Sequence, residues 1–216
     1  MIGGEDEMSF IKHFGVHVRA KSSGLKLTKD NYVENINFKD SYSKKYYTDS
    51  VIKGCIEERL YNFDKNMRYF RSLSKEEFNK ELNHFVNKNK NFKEITDLTS
   101  INLESGYYIM VLDEYAQAYI GTSSNIKKRI QQHWSSQMFF DRMIFGSKEN
   151  SILSINSFRA LDTTRIFVNL TSDIYVLEDK FINQMEKRYL LNRTAGGALD
   201  GLPEAIAKMK TRDFSI

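Results

Sequence analysis

The sequence of 216 residues contains a single cysteine, Cys55, and a single proline, Pro203. One cysteine cannot form an intrachain disulfide, and no cysteine–histidine set has the spacing of a zinc site. The longest apolar run, residues 107–112, is far shorter than the about 20 residues that span a bilayer. The first ten residues lack the basic and then apolar pattern of a secretory signal. We therefore expect a reducing, cytoplasmic location, and any metal should be a hard ion held by oxygen.

The excess of positive over negative charge is also small. The chain carries 32 Lys and Arg against 28 Asp and Glu, a net charge of +4. This excess is too small to name a polyanionic partner, so a phosphate-binding role would require local clustering of cations. The hydrophobic fraction of 41% is that of a folded chain rather than a disordered one, and the length corresponds to one or two domains.

The first half of the sequence predicts a mostly helical region. Two weak strands are predicted at residues 14–18 and 24–27. Apolar residues at steps of three and four predict one helix that Asp49 or Ser50 caps, and a capping box at Ser74 begins a second. The polar stretch 87–92 is the predicted linker.

The second half predicts a different order of elements: two strands forming a hairpin, a helix, a strand and a helix. These segments are residues 106–113, 116–123, 125–134, 163–170 and 171–191. Ser123 or Ser124 is the predicted cap of the first helix, and Thr171, Ser172 or Asp173 that of the second. A short helix near Pro203 is predicted to end the chain. We expect an α+β fold with a small three-stranded, mainly antiparallel sheet flanked by helices.

Polar and aromatic residues follow a fixed order through this second half. Tyr108 lies in the first strand, within Gly-Tyr-Tyr, and Tyr119 lies in the second, within Tyr-Ile-Gly. Arg129 and His133 are four residues apart on the following helix. Glu178 lies on the last predicted helix, and Asn192 follows that helix. Each one alone has an ordinary explanation. A strand tyrosine is usually a core residue, a Lys-Lys-Arg run is common on a solvated helix face, and an Asn often ends a helix. Their joint order is far more specific.

The position of Glu178 on the predicted helix strengthens this reading. With Ile174 at zero on a helical wheel of about 100° per residue, Glu178 falls at about 40°, inside the apolar arc. Glu186, the rival acidic residue, falls at about 120°, at the edge of the arc. A carboxylate in an apolar arc is unfavourable unless it is paired or bound to metal. The alternative is a salt-bridged glutamate, with Arg129 or Arg165 as its partner.

The combination resembles the GIY-YIG nuclease superfamily over about residues 104–197, although Tyr107 stands where that family usually has Ile or Val. The resemblance implies hydrolysis of DNA, expected to be double-stranded, with one Mg²⁺ (or Mn²⁺) ion held by Glu178. It further implies that Tyr108 or Tyr119 positions or deprotonates the attacking water, and that Arg129 stabilises charge on the phosphate. His133 would assist proton transfer, and Asn192 would supply a supporting hydrogen bond.

This interpretation divides the chain into a mostly helical region at 1–95, a nuclease domain at 104–197, and a tail or short helix at 198–216. The role of residues 1–95 is unknown, and our hypothesis is that they help to choose the substrate or dock a partner. Clusters of basic and aromatic residues at 44–47 and 68–71 can contact phosphates and stack on bases, or they can simply be the outer face of helices. Two alternatives to an active nuclease remain. One is a catalytically idle nucleic-acid-binding or protein-interaction module, and the other is a structural α+β domain whose motif is coincidental. An oligomer is an open question.

Overall fold

The computed structural model describes residues 11–18, 24–33, 48–135, 152–174 and 177–192. These residues form an α+β structure with antiparallel sheets flanked by helices. The strands are β1 (Ile11–His13), β2 (Val16–Val18), β3 (Lys93–Ile95), β4 (Gly106–Leu112), β5 (Gln117–Ser123) and β6 (Arg165–Leu170). The helices are α1 (Lys29–Val33), α2 (Asp49–Ser72), α3 (Lys75–Lys88), α4 (Ile126–Ser135) and α5 (Glu178–Ile182). The predicted helix near Pro203 lies outside the described residues.

The main sheet has four strands in the order β3-β6-β4-β5, and all neighbours are antiparallel. The prediction of three strands is wrong, because the short segment Lys93–Ile95 pairs with β6 at the sheet edge. Only three residues long and with two charged members, β3 carries almost no strand signal. The hairpin of β4 and β5 is confirmed, and every residue of β4 is buried. Burial of both faces explains why β4 is a continuous apolar run rather than an alternating one.

Each face of this sheet packs against its own hydrophobic core. The first core contains Tyr108, Leu112 and Tyr115 from the hairpin region together with Phe63 and Phe70 from α2. Residues of α4 and of β2 complete it. The second core contains the alternate residues of β4, from Tyr107 onward, with the apolar stripe of α3 and residues of α5. Residues from before and after position 95 therefore share both cores.

The polar stretch 87–92 is not a free linker. Phe92 is buried and packs edge-on against Phe85 and Phe181. The side-chain amide of Asn89 donates to Phe85 O and to Gln184 Oε1. This stretch therefore holds the end of α3 to the second core, and its polarity reflects the other positions, which face solvent.

Several predicted element ends also change. Thr48, rather than Asp49 or Ser50, occupies the N-cap position of α2. Ser74 caps α3 as expected, because its hydroxyl accepts from Glu77 N. Of the first two predicted strands, residues 16–18 form β2, whereas 24–27 contribute only an isolated bridge residue.

The long helix predicted over residues 171–191 is wrong. Only α5 and a 3₁₀ turn at Lys187–Tyr189 form in the described part of this segment. Side chains of the sheet bond to backbone groups that would pair with one another inside a helix. Tyr107 Oη donates to Asp173 O and accepts from Leu177 N. Thr122 Oγ1 donates to Ile174 O. Within the described segments, no helix has the length and apolar character needed to cross a membrane.

Candidate active site

The hairpin brings Tyr108 and Tyr119 to the same face of the sheet. Tyr108 lies opposite Gly121, and Tyr119 lies opposite Met110, so the two tyrosines are diagonal neighbours on adjacent strands. Their ring centroids are 6.2 Å apart. Tyr108 is fully buried and Tyr119 is half-buried. Both phenols therefore lie on one side of the sheet.

Two glycines of the motif make this arrangement sterically feasible. A Cβ atom at Gly121 would lie 2.5 Å from Tyr108 Oη and 2.9 Å from Tyr119 Cε1, so the Tyr108 ring occupies the space that any side chain would need. Gly106 has φ +147° at the start of β4, and a Cβ atom there would lie 2.1 Å from Asn169 O. Only glycine adopts that backbone conformation without strain.

Helix α4 supplies Arg129 and His133. Neither Ser123 nor Ser124 is its cap: the Asn125 side chain accepts from Lys128 N at 3.0 Å, and Ser123 Oγ in turn accepts from Asn125 N. Because Arg129 and His133 are one turn apart, both reach Tyr108. His133 Nε2 lies 2.8 Å from Tyr108 Oη, and Arg129 interacts with the same phenol.

A residue that the sequence did not single out completes this set. Asn156 Oδ1 is hydrogen-bonded to His133 Nδ1, and both residues are buried. An amide oxygen only accepts, so Nδ1 carries the proton of the neutral ring and Nε2 is left to accept from the Tyr108 hydroxyl. Asn156 sits in a 3₁₀ turn within a stretch that has no regular periodicity, and no sequence pattern would have identified it.

The electrostatics of Tyr108 reflect this crowded environment. Burial raises the pKa of Tyr108 well above its usual value, and the neighbouring Tyr119 raises it further. The Arg129 guanidinium opposes this by lowering the pKa, whereas the Glu178 carboxylate adds to it. The phenol is therefore neutral in the free protein, and its proton is held on the hydrogen bond to His133.

Glu178 is the first residue of α5 and is half-buried. Burial raises the pKa of its carboxyl group from 4.5 to about 7, with a further rise from Asp179 and an opposing effect from Arg129. Arg165, the other partner considered from the sequence, is instead bonded to Asp113 and Asn79. Glu178 therefore lies close enough to Arg129 and Tyr108 for their charges to act on one another, although its helix is only five residues long.

Asn192 acts on the backbone of β5. Its side-chain oxygen accepts from Ile120 N at 3.1 Å, and its amide donates to Ile120 O at 2.7 Å. Ile120 lies between Tyr119 and Gly121, so this pair of bonds fixes the strand that carries both. The side chain of Asn192 is buried, and both of its polar atoms bond to this strand.

Tyr107 is a second residue whose role the sequence did not reveal. It points to the opposite face from Tyr108, and its hydroxyl binds Asp173 O at 2.8 Å and Leu177 N at 3.1 Å. These bonds hold the chain that leads into Glu178. An Ile or Val at this position could not make them, so the departure from the family pattern has a structural consequence.

The carboxylates near Arg129 fit a hard divalent cation better than a zinc-type site. Asp179 Oδ1 is buried and makes no hydrogen bond among the described residues, and its charge raises the pKa of the adjacent Glu178. Over the same residues, no group of three or more His, Cys, Asp and Glu side chains gathers at one point. Mg²⁺ is commonly bound through one or two carboxylates, and water molecules complete its coordination shell. Glu178 and Asp179 could supply such ligands.

The site thus draws on the whole second half of the described chain. Residues from position 108 to position 178 surround one buried phenol. Asn156, Tyr107 and Asn192 lie farther from the phenol and hold other parts of the site in place. In comparisons with known proteins, no family model, no curated protein and no solved structure matched this chain.

Proposed function

We propose that this chain is a metal-dependent endonuclease that hydrolyses DNA phosphodiester bonds through a GIY-YIG-type site. The observation that carries the proposal is the convergence on Tyr108: His133 is hydrogen-bonded to its hydroxyl, and the charges of Arg129 and Glu178 both act on its pKa. A purely structural sheet has no need of a neutral phenol, an arginine and a half-buried carboxylate at one point.

In fold terms, strands β4, β5 and β6 with helices α4 and α5 would correspond to the GIY-YIG core. β3 would then be an addition to the sheet edge next to β6.

Charge stabilisation falls to Arg129 and Glu178. A guanidinium fork suits the phosphate oxygens on which negative charge increases in the transition state. Glu178, with Asp179 beside it, would hold Mg²⁺ or Mn²⁺, which supplies charge stabilisation for the phosphate and the leaving oxygen. Because the pKa of Glu178 is raised to about 7, its carboxylate is fully ionised only above neutral pH unless a cation binds there.

Proton transfer falls to the chain of Tyr108, His133 and Asn156. The Tyr108 oxygen takes the proton of the attacking water as its own proton passes to His133 Nε2, and Asn156 holds the resulting imidazolium at Nδ1. Tyr108 is fully buried, so the water would enter between Tyr119 and Arg129, which are both half-buried. Tyr119 would orient that water rather than deprotonate it.

The test compares cleavage and binding in the same proteins. Purified chain is incubated with supercoiled plasmid in Mg²⁺, in Mn²⁺ and in EDTA, alongside the Tyr108→Phe, Arg129→Ala and Glu178→Gln variants. We expect nicked or linear product only with a divalent ion, and a loss of at least about 10²-fold in each variant. Binding to duplex DNA, measured in EDTA by fluorescence anisotropy, should remain in all three.

Glu186→Gln is the matched control, because Glu186 is the exposed rival carboxylate and bonds Arg188 at the surface. Its cleavage rate should equal that of the unaltered chain. Cleavage unchanged in Glu178→Gln would refute the proposal. DNA binding with no cleavage under any ion would instead identify an idle binding module.

A further inference from the structure

A cleft of about 590 Å³ lies beside the turn of the main hairpin, away from Tyr108. One wall is α2, with Phe63, Met67 and Phe70, and the other is the hairpin turn with Tyr115. Residues just before α1 close one end. The aromatic side chains are buried in the first core, so they give the cleft a firm floor.

The charged residues of this cleft leave an excess of positive charge. Its two carboxylates are already paired: Asp64 binds Lys29 at 2.6 Å, and Glu114 binds Lys26 at 2.7 Å. Arg68 and Arg71 also line the cleft, are exposed, and form no hydrogen bond or ion pair with the part of the chain that the structure describes. They lie three residues apart on α2, so both guanidinium groups occupy the same face of the helix.

The cleft and the candidate active site lie on the same side of the sheet. Tyr108, Leu112 and Tyr115 belong to one core, and the chain runs from the first to the last along β4 into the hairpin turn. At about 3.3 Å per residue, the strand from Tyr108 to Leu112 covers about 13 Å. B-form DNA advances about 3.4 Å per base pair, so about four steps of a duplex span this distance.

We propose that Arg68 and Arg71 form a second phosphate site, which binds the backbone of the nucleic acid whose scissile phosphate lies at Tyr108. This inference rests on the proposed function, and it assigns part of residues 1–95 to substrate binding. Two free guanidinium groups match the geometry and charge of phosphodiester oxygens, and they contact the backbone independently of base sequence. A binding site of this kind positions the duplex and contributes affinity without taking part in the chemistry.

The test measures the binding of a fluorescein-labelled 24-base-pair duplex to the full chain in EDTA, at several salt concentrations. Each neutralised phosphate contributes about 0.9 to the slope of log K against log salt, so Arg68→Ala/Arg71→Ala should reduce the slope by about 1.8. If the intercept at 1 M salt is unchanged, affinity at 0.1 M salt falls about 60-fold. Arg68→Gln/Arg71→Gln should behave in the same way, and circular dichroism checks that both proteins fold.

Lys88→Ala/Lys90→Ala is the matched control, because it removes the same charge from the exposed end of α3, on the other face of the sheet. Its salt slope should change by less than about half as much as that of the arginine pair. Equal slopes for the two double variants, or an unchanged slope for the arginine pair, would overturn the inference. Calorimetry with AMP tests whether the cleft binds free nucleotides instead. If the arginine variants lose AMP binding but keep duplex binding, the cleft is a nucleotide site and the inference of a second phosphate site is overturned.

Failure of this inference and failure of the proposed function give different results. If the chain cuts DNA and the arginine pair does not affect binding, only the second phosphate site is refuted. If the arginine pair controls duplex binding but no cleavage occurs with any divalent ion, the phosphate site stands and the nuclease proposal falls.

Discussion

Replacing Glu178 by Gln should stabilise the folded protein in the absence of metal, although it should abolish cleavage. The pKa of Glu178 rises from 4.5 to about 7 on folding, so near neutrality the folded state holds a proton that the unfolded chain has released. Stability then falls as pH rises through this window. The full difference corresponds to about 3 kcal/mol, because each pKa unit is equivalent to about 1.4 kcal/mol.

The expected change follows from that sign. Relative to the unaltered chain, Glu178→Gln should gain about 2 to 3 kcal/mol in its free energy of unfolding at pH 8, and less than about 1 kcal/mol at pH 5. Urea unfolding in EDTA measures both values, with the fluorescence of the single tryptophan, the buried Trp134, as the signal. Saturating Mg²⁺ at 100 times its dissociation constant should return about 2.7 kcal/mol to the unaltered chain at pH 8 and nothing to the variant.

Glu186→Gln again serves as the control. Its carboxylate is exposed and paired with surface Arg188, so its substitution should change stability by less than about 0.5 kcal/mol at either pH. The reasoning is refuted if the advantage of Glu178→Gln does not grow between pH 5 and pH 8, or if Mg²⁺ stabilises both proteins equally.

Three further predictions concern residues that hold the site in place. Gly121→Ala should lower the free energy of unfolding by about 1 to 3 kcal/mol and stop cleavage, because the added Cβ would overlap the Tyr108 ring. In the same thermal unfolding experiment, the control Gly54→Ala, at an open position of α2, should be neutral or stabilising. Asn156→Ala should slow single-turnover cleavage about tenfold to a hundredfold. Asn156→Asp should recover part of the rate and move the pH optimum upward. Identical pH–rate profiles for Asn156→Asp and the unaltered chain would contradict the assigned tautomer of His133. Tyr107→Phe should raise the Mg²⁺ concentration that gives half-maximal cleavage and leave duplex binding unchanged. The reason is that Leu177 N, in the residue preceding Glu178, loses its hydrogen-bond acceptor. An unaltered Mg²⁺ dependence would show that Tyr107 is not part of the site.

The hairpin and α4 were predictable because their signals are local. The apolar run of β4 and the Tyr-Ile-Gly strand carry a strong β pattern, and the stripe at Ile126, Ile130 and Trp134 defines the buried face of α4. The six candidate residues were proposed from the resemblance to GIY-YIG nucleases, and all but Asn192 lie on a predicted element. Four of them, Tyr119, Arg129, His133 and Glu178, lie around the fifth, Tyr108, whereas Asn192 binds the adjacent strand.

What the sequence could not show depends on contacts between distant segments. Residues 171–177 have a helical sequence pattern, but Tyr107 and Thr122 hydrogen-bond to the backbone of Asp173 and Ile174 and hold these residues against the sheet. Asn156 becomes important only because the irregular segment around it folds against His133. The burial of Glu178 was predicted from a helix over residues 171–191, whereas in the described part of that segment only the five residues of α5 form an α-helix.

The position of β6 in the sheet constrains the order in which the chain assembles its candidate site. β6 lies between β3 and β4, so β3 has no partner strand in this sheet until a segment about seventy residues later has been synthesised. Glu178 and Asn192 follow β6, whereas both tyrosines and Arg129 precede it. A nascent chain therefore displays the hairpin and α4 early, but it lacks the acidic residue until β6 has left the ribosome. The candidate site therefore stays incomplete until segments on both sides of β6 have been synthesised.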